Sequence, residues 1–126
     1  MAETIYTKNA PDAIGPYSQA KVVGNLVFTS GQIAIDPATG NVDAVTIEEQ
    51  THQVCKNLKN LLEAAGCDIT KAVKTVCFLK NMSDFAAVNE IYAGFFGEHK
   101  PARSCVEVAQ LPKGGLVEIE VVASRS

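Results

Sequence analysis

No stretch of this chain stays apolar for the ~18–20 residues that a membrane span requires. The opening residues, Met1-Ala2-Glu3-Thr4-Ile5-Tyr6-Thr7-Lys8, lack the apolar core of a signal peptide. The expectation is a soluble, cytoplasmic protein with no membrane partner. Basic residues occur only singly, and the net charge is −3 with a pI near 5.3. That balance gives no general attraction to nucleic acid or anionic lipid.

Metal and nucleophile chemistry lack their spacings as well. The four cysteines, Cys55, Cys67, Cys77 and Cys105, form no C-x-x-C pair, and no histidine stands near them at zinc-ligand spacing. Cys55 and Cys77 fall in apolar stretches and read as small core residues. Cys67 marks a helix end. Cys105 alone keeps company with charges. A thiol nucleophile needs a base nearby, and nothing in the sequence brings His52 or His99 to it. There is no G-x-x-x-x-G-K-[ST], no G-x-G-x-x-G and no G-x-S-x-G, so nucleotide and serine-nucleophile chemistry have no support.

What is present suits one domain spanning residues 1–126. A chain of 126 residues buries roughly two thirds of its unfolded surface. Its 47% apolar and 20% charged content is that of a globular protein. Residues 3–7 read as a short strand, and 9–18, with Pro11, Gly15 and Pro16, as a stiff loop. Gly24-Asn25 between 19–23 and 26–30 signals a hairpin. Gly31 ends it, either as a bulge or as a close approach to a ligand. Tyr17 is either a lid or a packing residue.

The first helix is the clearest element. Thr46 and Glu49 form a capping-box pattern. Ile47, Thr51, Val54, Cys55, Leu58, Leu61, Leu62 and Ala65 recur at helical spacing, and Gly66 stops the helix. His52 falls off that face. A strand over 72–80 follows. A second helix is capped by Ser83 or Asp84, with Phe85, Val88, Ile91, Tyr92 and Phe95 facing inward and Asn89 one position off. Strands over 101–108 and 116–122 close the chain. The order is β-β-β-α-β-α-β-β.

The last two strands carry the candidate chemistry. Side chains alternate between faces along a strand, so Arg103, Cys105 and Glu107 share one face, as do Glu118 and Glu120. If the two strands lie side by side, an arginine, a thiol and several carboxylates share a surface. One reading is a solvated pair of little consequence. The other is that Arg103 takes a small carboxylate with its planar fork, while a glutamate handles water or a proton. The strand pattern fits both. Two helices cover only one face of a six-stranded sheet. The other, apolar in part, is expected to pack on further copies of the chain, which puts Arg103 and Glu118 near a subunit boundary.

Four separated segments resemble the RidA (YjgF) family from end to end. They are Pro101–Leu111 with Val117-Glu118-Ile119, Gly15-Pro16-Tyr17-Ser18-Gln19-Ala20, Thr29-Ser30-Gly31-Gln32, and Asp84–Asn89 with Tyr92 and Phe95-Phe96. The resemblance implies a chorismate-mutase-like α+β fold: a six-stranded mixed sheet with two helices on one face, assembled as a homotrimer with clefts between subunits. It implies hydrolysis of reactive 2-imino acids, such as 2-iminobutanoate and 2-iminopropanoate, to 2-keto acids and ammonia, with no cofactor or metal. Arg103 and Glu118 would then be catalytic. Tyr17, Ser30, Gly31, Asn89 and Cys105 would line the site beside Arg103, with Cys105 as wall rather than nucleophile. Other classes stay open. One is endoribonuclease and translation inhibitor, for which the chain offers no basic groove, stacking platform or histidine pair. Another is a keto-acid-binding regulatory or chaperone-like protein.

Overall fold

The computed structural model describes residues 2–125. The strands are β1 (Glu3–Ile5), β2 (Ala20–Val23), β3 (Leu26–Thr29), β4 (Ala72–Leu79), β5 (Ala102–Glu107) and β6 (Val117–Ser124). The helices are α1 (Ile47–Ala64), between β3 and β4, and α2 (Phe85–Phe96), between β4 and β5. The expected order holds. One mixed sheet runs β1-β2-β3-β6-β4-β5, and every pairing is antiparallel except β4 with β5. The parallel pair follows from connectivity, because α2 carries the chain back across the sheet between the two strands. Among the described residues no helix is long and apolar enough to cross a membrane.

Local chemistry fixes α1 at both ends. Thr46 Oγ1 accepts from the Glu49 N–H at 3.1 Å, and Glu49 Oε1 accepts from the Thr46 N–H at 3.3 Å. The Thr46 and Val45 N–H groups, donating to it, hold the Glu49 carboxyl below the usual range. At the other end Gly66 adopts φ 76°. The Cys67 and Gly66 N–H groups donate to Leu62 O and Glu63 O at 2.9 and 3.0 Å, which is a Schellman closure.

The start of α2 differs from expectation. Neither Ser83 nor Asp84 caps it with a side-chain hydrogen bond. A 3₁₀ turn, Met82–Asp84, leads in instead, and Glu107 Oε1 accepts from the Met82 N–H at 2.8 Å. The inward face also shifts. Val88, Tyr92 and Phe96 are buried, Phe85 is 38% exposed, and Phe95 packs edge-on against His52 of α1. An i, i+4, i+8 row, with Phe96 in place of Phe95, is what meets the sheet.

Both helices cover one face. Val54, Leu58, Leu61 and Leu62 of α1 pack with Val117, Ile119, Val121 and Ala123 of β6 in a single core. Tyr92 of α2 bonds Thr75 of β4 at 2.7 Å. The opposite face carries Phe28 and Val106, 42% and 43% exposed, with half-buried Val76, Phe78 and Val122.

Register overturns the shared Arg–Glu surface. β5 and β6 are not neighbours, because β4 runs between them. Thr75 and Cys77 pair with Arg103 and Cys105, and Cys77 pairs with Ile119, so Arg103 and Cys105 face the helices. Phe78 pairs with Glu118 and Val76 with Glu120, so these carboxylates stand on the open face. The thiols of Cys77 and Cys105 are on the helix side too, so the open face lacks them and carries apolar side chains and the two carboxylates together with Lys21 and Lys74.

Candidate active site

Tyr17, Gly31, Glu118, Asn89 and Arg103 line two recesses that have no lining residue in common. The first is a cavity of about 210 Å³ lined by Tyr17, Gly31 and Glu118, with Pro11, Ile14 and Ile33 among its apolar walls. A bulge builds it. Phe28 pairs with Val122, but Gln32 pairs with Ile119, so the first strand carries one residue more than β6 over the same span. Thr29 Oγ1 compensates by accepting from the Val121 N–H at 3.0 Å. The extra residue lets the backbone at Gly31 pass beneath Glu118. A β-carbon built at Gly31 would overlap the Glu118 carboxylate. The bulge reading of Gly31 therefore holds, and the close approach the bulge admits is by the chain's own Glu118 carboxylate.

Glu118 is half-buried and has neither a salt bridge nor a hydrogen bond to its side chain among the described residues. Burial pushes its carboxyl above the usual range, and the neighbouring Glu120 adds to this. A carboxyl raised in this way holds a proton more readily than a free one, which suits it to proton exchange with a bound ligand.

Tyr17 is half-exposed, and its hydroxyl accepts from the Ile14 N–H at 3.3 Å. The loop that carries it is tied down by a residue the sequence reading passed over. Gln19 is buried. Its amide donates to Thr7 O and Pro11 O at 2.9 and 2.8 Å and accepts from the Thr7 N–H at 2.7 Å. Ser30 stands beside this recess rather than in it. Its hydroxyl donates to Ser18 O at 2.6 Å, so it braces the loop. Asn57, fully buried on α1, donates to Ile35 O and Ile33 O at 2.8 and 3.3 Å and pins the wall after Gly31. An asparagine between Val54 and Leu61, beside the apolar stripe of the helix, was the signal for it.

The second recess, on the helix side, is lined by Asn89, Tyr92, Ala93, Lys100, Pro101 and Arg103. Arg103 Nη1 donates to Asn89 Oδ1 at 2.7 Å. The guanidinium lies over the Phe85 and Tyr92 rings, 5.3 and 4.9 Å from their centroids. Neither salt bridge among the described residues involves Arg103. Cys105 is half-buried on the same face, with the Cys77 thiol as hydrogen-bond neighbour, and burial pushes its own thiol up. A protonated thiol suits a wall better than a nucleophile.

The structure thus brings Tyr17, Gly31 and Glu118 together, and separately Arg103, Asn89 and Cys105. Within one chain it does not bring the two groups together.

The Endoribonuclease L-PSP family model matches residues 7–125. A RutC family protein of Pyrococcus horikoshii is 54% identical over 123 residues, covering 98% of each chain. A 2-iminobutanoate/2-iminopropanoate deaminase of Salmonella typhimurium is 52% identical over 128 residues, covering 99% of each. A Thermotoga maritima structure, with a provisional endoribonuclease name, superposes with a TM-score of 0.97 at 52% identity. It covers 100% of this chain and 99% of that one.

Proposed function

The chain belongs to the endoribonuclease L-PSP (RidA/YjgF) family, and on that footing we propose that it hydrolyses 2-imino acids, such as 2-iminobutanoate and 2-iminopropanoate, to 2-keto acids and ammonia. One observation carries this reading. Arg103 is held by an amide, two rings and the Cys77 thiol, with no acid opposite it. A guanidinium ordered without a counter-ion is ready for a carboxylate. Relatives carrying the imine deaminase name at about half identity support the same choice.

The site we propose lies between copies of the chain in a cytoplasmic homotrimer. The apolar face around Phe28, Phe78 and Val106 supports association, since a free face of that kind favours burial. A neighbouring copy would set its Arg103 recess against the Glu118 recess. Arg103 then clamps the substrate carboxylate. Glu118, protonated, gives its proton to the imine nitrogen. Water adds to C2, and Glu118 takes a proton from it, leaving a carbinolamine. The same proton goes to the amine, ammonia departs as the C–N bond breaks, and the hydroxyl proton returns to Glu118. Atoms balance: imine plus water gives keto acid plus ammonia. Gly31 and the Cys105 backbone, with Asn89 and Tyr17, shape the walls, and Ser30 braces the loop that carries Tyr17. The reaction needs positioning and proton management, because the imine is already labile in water.

The test is a trapping competition. A threonine dehydratase releases the imine beside semicarbazide, and semicarbazone formation is followed with and without the protein. The expected result is less semicarbazone with the wild-type chain and no change with Arg103→Ala. Trapping unaffected by the wild-type protein would overturn the enzyme reading and leave a site for binding 2-keto acids.

A further inference from the structure

Phe85, Asn89 and Tyr92 stand four and three residues apart, so they form one row along α2. That row closes on Arg103. Asn89 takes one guanidinium N–H, while the rings of Phe85 and Tyr92 lie against the cation. Tyr92 is fixed in turn. Its hydroxyl is hydrogen-bonded to the buried Thr75 hydroxyl at 2.7 Å, and its ring stacks on Phe96 with centroids 4.2 Å apart.

No acid lines this recess, whose other charged residue is Lys100. Burial pushes the Cys77 thiol up to about 12 and moves Tyr92 and Cys105 upward as well. An aromatic face attracts a cation without using its in-plane N–H donors. The Cys77 thiol is a further hydrogen-bond neighbour of the guanidinium, so the row orients Arg103 without an opposing acid and leaves its remaining donors for a ligand. A partner carboxylate would orient it equally well but would compete with the substrate.

We propose that Phe85 and Tyr92 are positioning residues that hold the Arg103 fork in the plane in which it receives a carboxylate. The proposal rests on the reading of Arg103 as the carboxylate anchor. Its physical content is pre-organisation: a long side chain is ordered when the protein folds, so less freedom is lost when the ligand binds. Neither ring touches the substrate in this account, and both act through Arg103.

The chain has two arginines, Arg103 and Arg125, which makes the side-chain Nε–H signals in a nitrogen–proton correlation spectrum readable. Arg125, 3.7 Å from Glu3 and remote from the row, is the internal reference. The expected spectrum has the Arg103 signal displaced upfield by the rings. Phe85→Leu and Tyr92→Leu each move it back toward the free-arginine position, Tyr92→Phe leaves it in place, and Arg125 stays still.

Calorimetry with 2-ketobutyrate reads the consequence. Kd rises roughly tenfold in Tyr92→Leu and about threefold in Phe85→Leu, and stays within about twofold in Tyr92→Phe, which retains the ring. In imine hydrolysis KM rises more than kcat falls. Phe85 is partly exposed, so its variant carries the test even if Tyr92→Leu fails to fold.

An undisplaced Arg103 signal in the wild type overturns the proposal. So do leucine variants that bind 2-ketobutyrate as the wild type does while Arg103→Ala does not. If Arg103→Ala also binds as the wild type does, the anchor reading itself has failed, and the two failures are told apart.

Discussion

Arg103 and Glu118 project from opposite faces of one sheet. Arg103 pairs with Thr75 on one side of β4, and Glu118 pairs with Phe78 on the other, three residues along. An odd offset in β4 puts the two side chains on opposite faces. If one active site uses both residues, they come from different copies. Mixing subunits tests this. Arg103→Ala and Glu118→Gln, each inactive alone, should regain imine hydrolysis when unfolded and refolded together. Random assembly in a ring makes about a quarter of the sites intact. A mixture no more active than its parents would show that no such shared site forms.

Gly31→Ala should uncouple stability from activity. The backbone at Gly31 is not in the left-handed region, so alanine is conformationally acceptable there. Its β-carbon meets the Glu118 carboxylate, which must swing away. Hydrolysis is expected to fall by roughly tenfold or more, corresponding to about 1.4 kcal/mol or more of lost transition-state stabilisation, with a nearly unchanged melting temperature. Full activity in this variant would show that the Glu118 position is not important to the chemistry.

Glu118→Gln should raise stability at neutral and alkaline pH. The folded state raises this carboxyl's pKa, so its contribution to stability is present in full below the unfolded pKa. It is lost as pH rises through the folded pKa. Removing the charge removes that loss. Thermal melts from pH 4 to 8 should show the variant gaining on the wild type as pH rises, while hydrolysis is impaired throughout. A gap that closes toward pH 8 would contradict the assigned direction.

Val106→Lys addresses assembly. Val106 is 43% exposed on the open face, and a lysine there is solvated in an isolated chain but buried between copies. Sedimentation should show a shift toward monomer with secondary structure retained, and hydrolysis should fall with it. An unchanged oligomer would place the contact elsewhere on that face.

Loop order gives the last test. Gln19 makes its bonds to Thr7 and Pro11 while almost wholly buried. Gln19→Leu leaves buried backbone groups unpaired, at a cost of about 1–3 kcal/mol. Amide exchange should rise over residues 7–18, and KM should rise with it because Tyr17 is no longer held. Unaltered protection there would mean the loop is held by packing alone.

The sequence by itself determined the elements and their order, because those are set locally. The Thr46–Glu49 box, the stop at Gly66, the Gly24-Asn25 hairpin and the alternation along each strand all act within a few residues. Resemblance across four segments identified Arg103, Asn89, Glu118, Tyr17 and Gly31 as candidates to look for. Register and strand order were decided only by the tertiary structure. A shift of one residue exchanges the faces of a strand, and nothing within β5 or β6 states that β4 lies between them. So the sequence could place a thiol, an arginine and two glutamates on strands but could not say which shared a surface. The same limit hid the bulge that sets Gly31 under Glu118, and the row Phe85, Asn89 and Tyr92, whose spacing is legible but whose target, Arg103, comes from a different element.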